Sequence, residues 1–281
     1  MVCKFKLQPI LGWVSSKSAT KVQKSLLMTD WTHEIAAARE LQPSHRRRIL
    51  ATNKHVLRIP LKPEERDYFG NTHDIGFTSL LDENLVLATK VVREYTTVPV
   101  PQVIHYDAEM TILQMIEGVD LDSVWGRISK RQLEGIKEEL RGYIQQLWTI
   151  PNLFSEDFAV GTLCKTHEIL FSSNRQYPHQ GPFKTTSQYR SHIPGLFGRN
   201  PQFSDDAQPV FDHMDWYQSN IIIHPNLDGI AGIIDWEYAG YIPDPDELHR
   251  GDVAIEDWGR PEWANIFDGL EQPRRKSAAV Y

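Results

Sequence analysis

The stretch that decides the fold is residues 213–235, which read HMDWYQSNIIIHPNLDGIAGIID. Two apolar runs flank the turn-forming composition PNLDG, so the pattern predicts two antiparallel strands joined by a tight turn. This pairing returns the end of the second strand to the start of the first. It therefore brings Asp235 close to Asn220, with Asp215 on the loop that precedes the strand pair.

Two carboxylates and one amide in this arrangement fit phosphoryl transfer. In this chemistry one carboxylate orients and deprotonates an attacking hydroxyl, while the amide of Asn220 and the second carboxylate hold the Mg²⁺ that neutralises the phosphates. An isolated His-x-Asp is more often part of a surface loop, and Asp235 alone would be interpreted as a helix cap. The combination of the His-x-Asp loop, the Ile run, the tight turn and the terminal Asp favours the catalytic interpretation.

Length and composition narrow the class of protein. The chain has 281 residues, of which 41% are hydrophobic, enough for the core of one large domain or of two lobes. The net charge of −7 argues against a nucleic-acid partner, and the basic run 46–48 is interpreted as a solvated helix end. The cysteines, Cys3 and Cys164, are few, and no apolar stretch is long enough to span a bilayer. We therefore expect a cytoplasmic protein without a membrane partner, and a monomer.

Periodicity and turn residues predict the remaining elements. The segment 1–52 is interpreted as an N-terminal extension with a helix at 31–41, and residues 63–82 are predicted to form a loop. The other predicted strands are 54–61, 103–106, 111–116 and 209–212, and the other predicted helices are 84–95, 129–148 and 186–193. This order indicates a part with a sheet at 53–117 and a mainly helical part at 118–281.

Four stretches resemble one family of enzymes. Residues 213–243 are similar to the catalytic core of the aminoglycoside phosphotransferase and choline kinase-like family, especially its fungal members. Residues 93–103 (REYTTVPVPQV) resemble the link after its N-lobe helix, and 112–125 (ILQMIEGVDLDSVW) resemble the hinge that passes adenine. Residues 140–151 (LRGYIQQLWTIP) resemble its long C-lobe helix. The resemblance covers about residues 85–243.

The resemblance implies an α+β, bilobal protein-kinase-like fold with a small N-lobe, in which some parts are not recognisable, and a mainly helical C-lobe. It implies a phosphotransferase that uses ATP and Mg²⁺ to phosphorylate a hydroxyl of a small molecule, with cationic amines as candidates. Asp215 matches the catalytic base, and His213 matches the histidine that supports the catalytic loop. Asn220 and Asp235 match the Mg²⁺ ligands. The hinge residues whose backbone would bond adenine are Gln114, Met115 and Ile116.

Two parts of such an enzyme are harder to place in this sequence. The family carries a phosphate-binding Lys on an N-lobe strand and pairs it with a Glu on the next helix. Lys62, just after the strand 54–61, is assigned to this role. The alternatives are Arg58, Lys54 and Lys90 for the cation, with Glu83 for the acid. No Gly-rich phosphate loop is visible, and Met214 stands where the family has the Gly of His-Gly-Asp, which predicts a slightly different loop backbone.

These departures keep other functions open. A pseudokinase would bind a nucleotide or a protein partner without turnover. A metal-dependent phosphoesterase could use His213, Asp215 and Asp235, but it would need further His ligands nearby. The acidic residues after the catalytic strand either attract cationic substrates or lie on a surface turn; they are Asp244, Asp246 and Glu247.

Overall fold

The computed structural model describes residues 31–41, 46–66, 70, 74–154, 159–168, 181–197, 203–246, 261–263 and 265–271. Within these residues the α-helices are α1 (Thr32–Ala37), α2 (Ile75–Tyr95), α3 (Leu121–Val124), α4 (Lys130–Trp148) and α5 (Thr186–Phe197). The strands are β1 (Arg39–Glu40), β2 (Arg47–Ala51), β3 (His55–Pro60), β4 (Val103–Tyr106), β5 (Thr111–Gln114), β6 (Val119–Asp120), β7 (Gly161–Thr162), β8 (Val210–Asp212), β9 (Ile221–Ile223), β10 (Ile230–Ile233) and β11 (Gly240–Ile242). Short 3₁₀ turns lie at Trp125–Arg127, Gln218–Asn220, Trp236–Tyr238 and Pro261–Trp263.

A five-stranded antiparallel sheet forms the N-terminal part, in the order β1-β2-β3-β5-β4. Its two faces pack against different helices because side chains alternate along each strand. One face packs against the segment 31–38, which contains α1. The sheet contributes Leu50, Leu57 and Ile112 to this contact, and the segment contributes Trp31, Ile35 and Ala38. The other face contacts α2, through Val56, Val103, Leu113, Leu85 and Val86. Alternation along β3 puts Arg58 on the same face as Val56.

The sheet begins before residue 53, where the sequence predicted the start of this part. β2 pairs with β3 along its whole length, from Arg47 to Ala51, so the predicted extension 1–52 contains two strands of the sheet and the helix that covers it. Residues 1–30 lie outside the described part of the chain. The basic run 46–48 was interpreted as a solvated helix end, but it enters β2 and Arg47 is 3% exposed. The run was misinterpreted because the buried carboxylates that pair with Arg47 are distant in sequence.

Helix α2 starts inside the segment 63–82 that was predicted to be a loop. Asp74 caps the helix, because its side chain accepts the N–H of Phe77 at 3.1 Å and so satisfies one N–H of the first turn. Gly76 favoured the loop interpretation, but it lies in the first turn, and the cap and the long apolar face outweigh its low helix propensity. The longer helix places Asp82 and Asn84 on its buried face.

Asn84 fastens α2 to two later segments of the chain. Its amide nitrogen donates to the main-chain oxygens of Glu237 and Ala239, both at 2.9 Å. Its amide oxygen accepts the N–H groups of Leu163 at 2.7 Å and Cys164 at 3.1 Å. These bonds use the full hydrogen-bonding capacity of one side-chain amide. They fix α2 against the turn that follows β10.

The C-terminal part is built around α4, which matches the predicted helix 129–148. Ser129 and Gln132 form a capping box at its start. Its buried face contributes to the largest core cluster, together with apolar residues of β8, β9, β10 and β11. In the described residues these strands form two three-stranded sheets, β10-β9-β6 and β7-β11-β8. None of the helices in the described ranges combines the length and apolar character that a membrane crossing requires.

Candidate active site

The residues predicted to carry the chemistry lie on adjoining turns. The amide nitrogen of Asn220 donates to the main-chain oxygen of Asp215 at 3.0 Å and to its Oδ2 at 2.9 Å. The main-chain oxygen of Asn220 accepts the N–H of Ile234 at 3.0 Å. Ile234 precedes Asp235, and Ile221 of β9 lies opposite Ile233 of β10. The strand pairing therefore brings the turn that holds Asp215 and Asn220 alongside Asp235.

His213 ties the Asp215 loop to the strand end that carries Asp235. The ring is fully buried; its Nε2 lies 2.8 Å from the main-chain oxygen of Ile234, and its Nδ1 accepts the N–H of Asp215 at 3.2 Å. These partners assign the hydrogen to Nε2 and the neutral form to the ring. Burial lowers the pKa of His213 to about 4, although the two hydrogen bonds raise it. The imidazole is therefore neutral at ordinary pH, and its two hydrogen bonds hold the loop in place.

Two residues of the site have left-handed backbone conformations. Met214 has φ 67°, and Asp235 has φ 64° and ψ 53°. This conformation costs a residue other than Gly about 1–2 kcal/mol, and such strain is often found where side chains must be aimed at a reaction. The sequence predicted a different loop backbone from the presence of Met at position 214. Met214 instead adopts the conformation for which Gly is usually needed, so the loop turns sharply without a Gly.

Asp212 supports the loop from the end of β8, although no motif in the sequence indicated it. Its carboxylate is buried; Oδ1 accepts the N–H of Met214 and the indole N–H of Trp216, both at 2.9 Å, and Oδ2 accepts the indole N–H of Trp148 at 3.3 Å. Burial raises the pKa of Asp212 to about 6, although these bonds lower it. The feature of the sequence that could have indicated Asp212 is an acidic residue at the end of an apolar strand, directly before the His-x-Asp motif.

Replacing Asp212 by Asn should change how the free energy of unfolding depends on pH. The pKa of Asp212 in the folded protein is about 6, above its ordinary 3.8, so acidification through this window stabilises the fold. The pKa of His213 is about 4, below its ordinary 6.5, so acidification from 6.5 to 4 destabilises the fold. Each group contributes about 3 kcal/mol, at roughly 1.4 kcal/mol per pH unit, and the two slopes largely cancel in the wild type.

The Asp212→Asn variant keeps only the slope of His213. Urea unfolding at pH 6.5 and pH 4 should therefore show the variant losing about 3 kcal/mol more than the wild type over this range. The exposed carboxylates titrate in both proteins and cancel in the comparison. The reciprocal variant His213→Gln should show the opposite difference. Parallel pH curves for the wild type and Asp212→Asn would contradict the assignment.

A buried cluster of charged residues adjoins Asp235; in the described chain its members are Arg47, Arg58, Asp82, Asp235 and Glu237. Nη1 of Arg58 lies 2.8 Å from Asp235 Oδ1, Nη2 contacts Glu237, and Nε lies 3.5 Å from Asp82 Oδ1. Arg47 approaches the same oxygen of Asp82 at 2.9 Å and Glu237 at 3.1 Å. Burial opposes the charge of Arg58, but Asp235, Glu237 and Asp82 outweigh it and raise its pKa. Arg58 is therefore a permanent cation.

Arg58, which lies in β3, reaches Asp235, whereas Lys62 does not. Lys62 is exposed, lies beyond the end of β3, and its backbone N–H donates to Glu65 at 2.6 Å. The acid that α2 supplies to this cluster is Asp82 rather than its neighbour Glu83. Alternation along β3 was the signal for Arg58, whereas the pairing with Asp82 could not be derived while the segment before residue 84 was predicted to be a loop.

The predicted adenine-binding hinge follows β5. The N–H of Gln114 donates to the main-chain oxygen of Gln102 at 2.8 Å, and the N–H of Met115 donates to that of Lys54 at 2.7 Å, so both are used by the sheet. Of the three hinge residues, Ile116 has a backbone without a hydrogen bond to the described part of the chain. Its side chain covers Gly232, and a larger residue at that position would displace the end of the Ile116 side chain. The N–H of Ile116 is thus the hinge donor that a ligand could bind.

A cavity of about 700 Å³ opens beside this hinge. The segments 114–117 and 99–100 line it, together with His224 and Pro225 of the β9–β10 turn. The lining includes none of Asp215, Asn220, Asp235 and Arg58. The cavity is therefore separate from the Asp215 loop, although both adjoin the β9–β10 hairpin.

The donor set fits an Mg²⁺ that is shared with phosphates, but not a self-contained metal centre. Among the described residues, no group of three or more His, Cys, Asp or Glu side chains is arranged to hold a metal ion. An Mg²⁺ bound with a nucleotide needs only one or two protein carboxylates or amides. The bonds of Asn220 to Asp215 use its amide nitrogen and leave Oδ1 to coordinate, and Asp235 retains Oδ2 beside the oxygen that contacts Arg58.

The acidic residues considered for attracting cationic substrates follow β11. Gly240 lies opposite Asp212, and Ile242 lies opposite Val210, so β11 runs away from the Asp215 loop towards Asp244. Glu247 lies outside the described residues. The pairing thus separates Asp244 from Asp215 by the length of β8.

Comparison with solved structures shows which known fold this chain has. No protein-family model matches the chain, and no curated protein matches it significantly. The ternary complex of APH(2″)-IIa with streptomycin and ATP aligns with a TM-score of 0.53 at 12% identity, over 90% of this chain and 84% of that chain. ADP-bound aminoglycoside phosphotransferase APH(2″)-Ib aligns at 0.52 and 12%, over 88% and 78%. Macrolide 2′-phosphotransferase type I aligns at 0.50 and 16%, over 92% and 87%. The chain therefore has the fold of the aminoglycoside and macrolide phosphotransferases.

Proposed function

We propose that the protein is a bilobal, kinase-like phosphotransferase that uses ATP and Mg²⁺ to phosphorylate a hydroxyl of a small molecule. The nucleotide would lie between the five-stranded sheet and the part built on α4, with adenine at the backbone of Ile116. The observation that carries the proposal is the hydrogen-bonded arrangement of Asp215 and Asn220 alongside Asp235. In it the residue proposed as the base adjoins two side chains whose oxygens suit a hard cation.

The residues of the chain divide the work of phosphoryl transfer. Asp215 accepts the proton of the attacking hydroxyl, and the bond from Asn220 to its Oδ2 orients the carboxylate. His213, which is neutral, holds the loop backbone, so its role is positional. Asn220 and Asp235 hold the cation. Mg²⁺ held by these two side chains would supply positive charge that offsets the charge developing on the phosphates.

Two observations support this proposal. The similar structures are those of phosphotransferases, one described with streptomycin and ATP and another with ADP. The donor set at Asn220 and Asp235 suits a cation that phosphates complete. Amine-bearing alcohols are the first acceptor class to test, because the net charge of −7 attracts cations.

The test uses the purified full-length chain in two steps. First, thermal unfolding is followed with millimolar ATP, with MgCl₂ or with EDTA. Bound nucleotide should stabilise the fold by about 3 kcal/mol when its concentration is a hundredfold above Kd. Second, ADP release is measured with a panel of aminoglycosides and simpler amino alcohols, matched to neutral alcohols of similar size. No thermal shift with Mg·ATP would contradict the proposal.

The same experiment decides the alternative, a pseudokinase that binds a nucleotide without turnover. The observation that favours this alternative is Arg58, which stands where Lys was expected and contacts Asp235. Thermal stabilisation by Mg·ATP, with no release of ADP above background for any acceptor, would support the binding module. Release of ADP that depends on one acceptor class would support the enzyme.

A further inference from the structure

Asp235 differs from the other carboxylates of the charged cluster. Its side chain is 32% exposed, against 5% for Asp82 and 7% for Glu237. Asp82 and Glu237 each contact both arginines, whereas Arg58 is the cation that Asp235 contacts in the described part of the chain. Of the three, Asp235 can therefore change partner with the least loss of buried ion pairs.

Arg58 is held at more than one point. Its guanidinium spans Asp82, Glu237 and Asp235, and it is 8% exposed. If the contact with Asp235 were broken, the contacts with Asp82 and Glu237 would still anchor the side chain, and Arg47 would continue to balance these two carboxylates. Nη1, the nitrogen that now contacts Asp235, is thus the part of Arg58 that can bind something else.

The charge balance makes such an exchange favourable when a nucleotide arrives with Mg²⁺. Three carboxylates and two guanidiniums leave one excess negative charge, which repels polyphosphate and attracts a cation. While Arg58 contacts Asp235, the carboxylate is partly occupied and the guanidinium is partly neutralised. A guanidinium released from Asp235 matches phosphate oxygens in shape and charge.

We propose that Arg58 is a two-position residue, which pairs with Asp235 in the nucleotide-free protein and transfers Nη1 to the nucleotide phosphates when Asp235 takes up the cation. This inference rests on the proposed nucleotide site, and it assigns to Arg58 both the phosphate contact and the occupation of Asp235 before binding. The consequence is a coupling between the metal ligand and the phosphate ligand, because each is freed when the other changes partner.

The coupling predicts that replacing a metal ligand increases the affinity for nucleotide when no metal is present. Asp235→Asn removes the charge that competes for Arg58, so it should increase the affinity for ADP in EDTA while it decreases the affinity for ADP in MgCl₂. Removal of any nearby negative charge gives part of this gain. The part that belongs to Arg58 is obtained from a double-mutant cycle with Arg58→Gln.

The experiment measures ADP binding in EDTA by calorimetry for the wild type, Asp235→Asn, Arg58→Gln and the double variant. The gain from Asp235→Asn in the Arg58 background should exceed the gain in the Arg58→Gln background by about tenfold, as expected for a close charge pair. The matched control is the exposed pair Arg48 and Glu40, 3.4 Å apart, for which the same cycle should show no coupling to ADP.

The outcomes separate this inference from the proposed function. Equal gains in the two backgrounds, or no gain from Asp235→Asn, overturn the exchange while Mg·ADP binding by the wild type upholds the nucleotide site. If Arg58→Gln does not fold, Arg58→Met takes its place in the cycle, and unchanged or weaker metal-free binding by Asp235→Asn overturns the exchange without the cycle. No binding of Mg·ADP by the wild type overturns both.

Discussion

The Asp215→Asn variant is expected to lose phosphorylation of its acceptor by about a thousandfold or more, within the range that general bases contribute. The amide has the shape of the carboxylate, so its oxygen can still accept the bond from Asn220 that now reaches Asp215 Oδ2 at 2.9 Å. It cannot accept a proton from the attacking hydroxyl. The loop should therefore keep its geometry and lose only its base.

Binding and turnover should separate in this variant. The Kd for Mg·ATP should stay within about twofold of the wild type, because the role proposed for Asp215 is towards the acceptor in the transition state and not towards the nucleotide. The control is Asp228→Asn in the exposed β9–β10 turn, which makes the same chemical change on the same hairpin and should leave turnover unchanged. Normal turnover by Asp215→Asn would falsify the assignment of the base.

The second large effect is on stability. Glu237→Gln should lower the free energy of unfolding by about 3 kcal/mol, because it leaves two buried guanidiniums with less compensating charge. Glu237 is 7% exposed at its side chain and contacts both Arg47 and Arg58. The amide keeps the size of the side chain, so the loss reports charge pairing rather than packing. Urea unfolding at neutral pH measures it.

The exposed pair Arg48 and Glu40 provides the comparison. Its side chains are 48% and 46% exposed, so Glu40→Gln should change the free energy of unfolding by less than about 1 kcal/mol. Salt should also affect the two variants differently, because solvent ions screen the surface pair but hardly reach the buried one. Equal losses in the two variants would show that the cluster around Glu237 contributes no more than a surface ion pair.

The sequence predicted the β9–β10 hairpin because its signals are local. An apolar run, a turn with Asp228 and Gly229, and a second apolar run lie next to one another, and alternation then fixes which ends meet. The helix at 129–148 was predicted for the same reason, since the cap at Ser129 and the apolar stripe lie in one segment. The placement of Asp235 beside Asn220 followed from the hairpin alone.

The charged cluster could not be predicted in this way. Arg58 and Glu237 are 179 positions apart in sequence, and their pairing depends on how the sheet, α2 and the turn after β10 pack together. A run of arginines resembles exposed surface until its partners are known, which is why Arg47 was assigned to a solvated helix end. Gly76 had a similar effect on the start of α2, and without that helical turn Asp82 had no place in the site.

Asn84 has a mechanical consequence for ligand entry. Its four hydrogen bonds join α2 to residues 163–164 and to the backbone at 237 and 239. We therefore expect the helix and the turn that follows Asp235 to move together. If the sheet and the Asp215 loop move apart, we expect the strands to shift relative to α2. Backbone hydrogen exchange should then be slowest in α2 and in the turn that follows Asp235, and faster in β1 and β2.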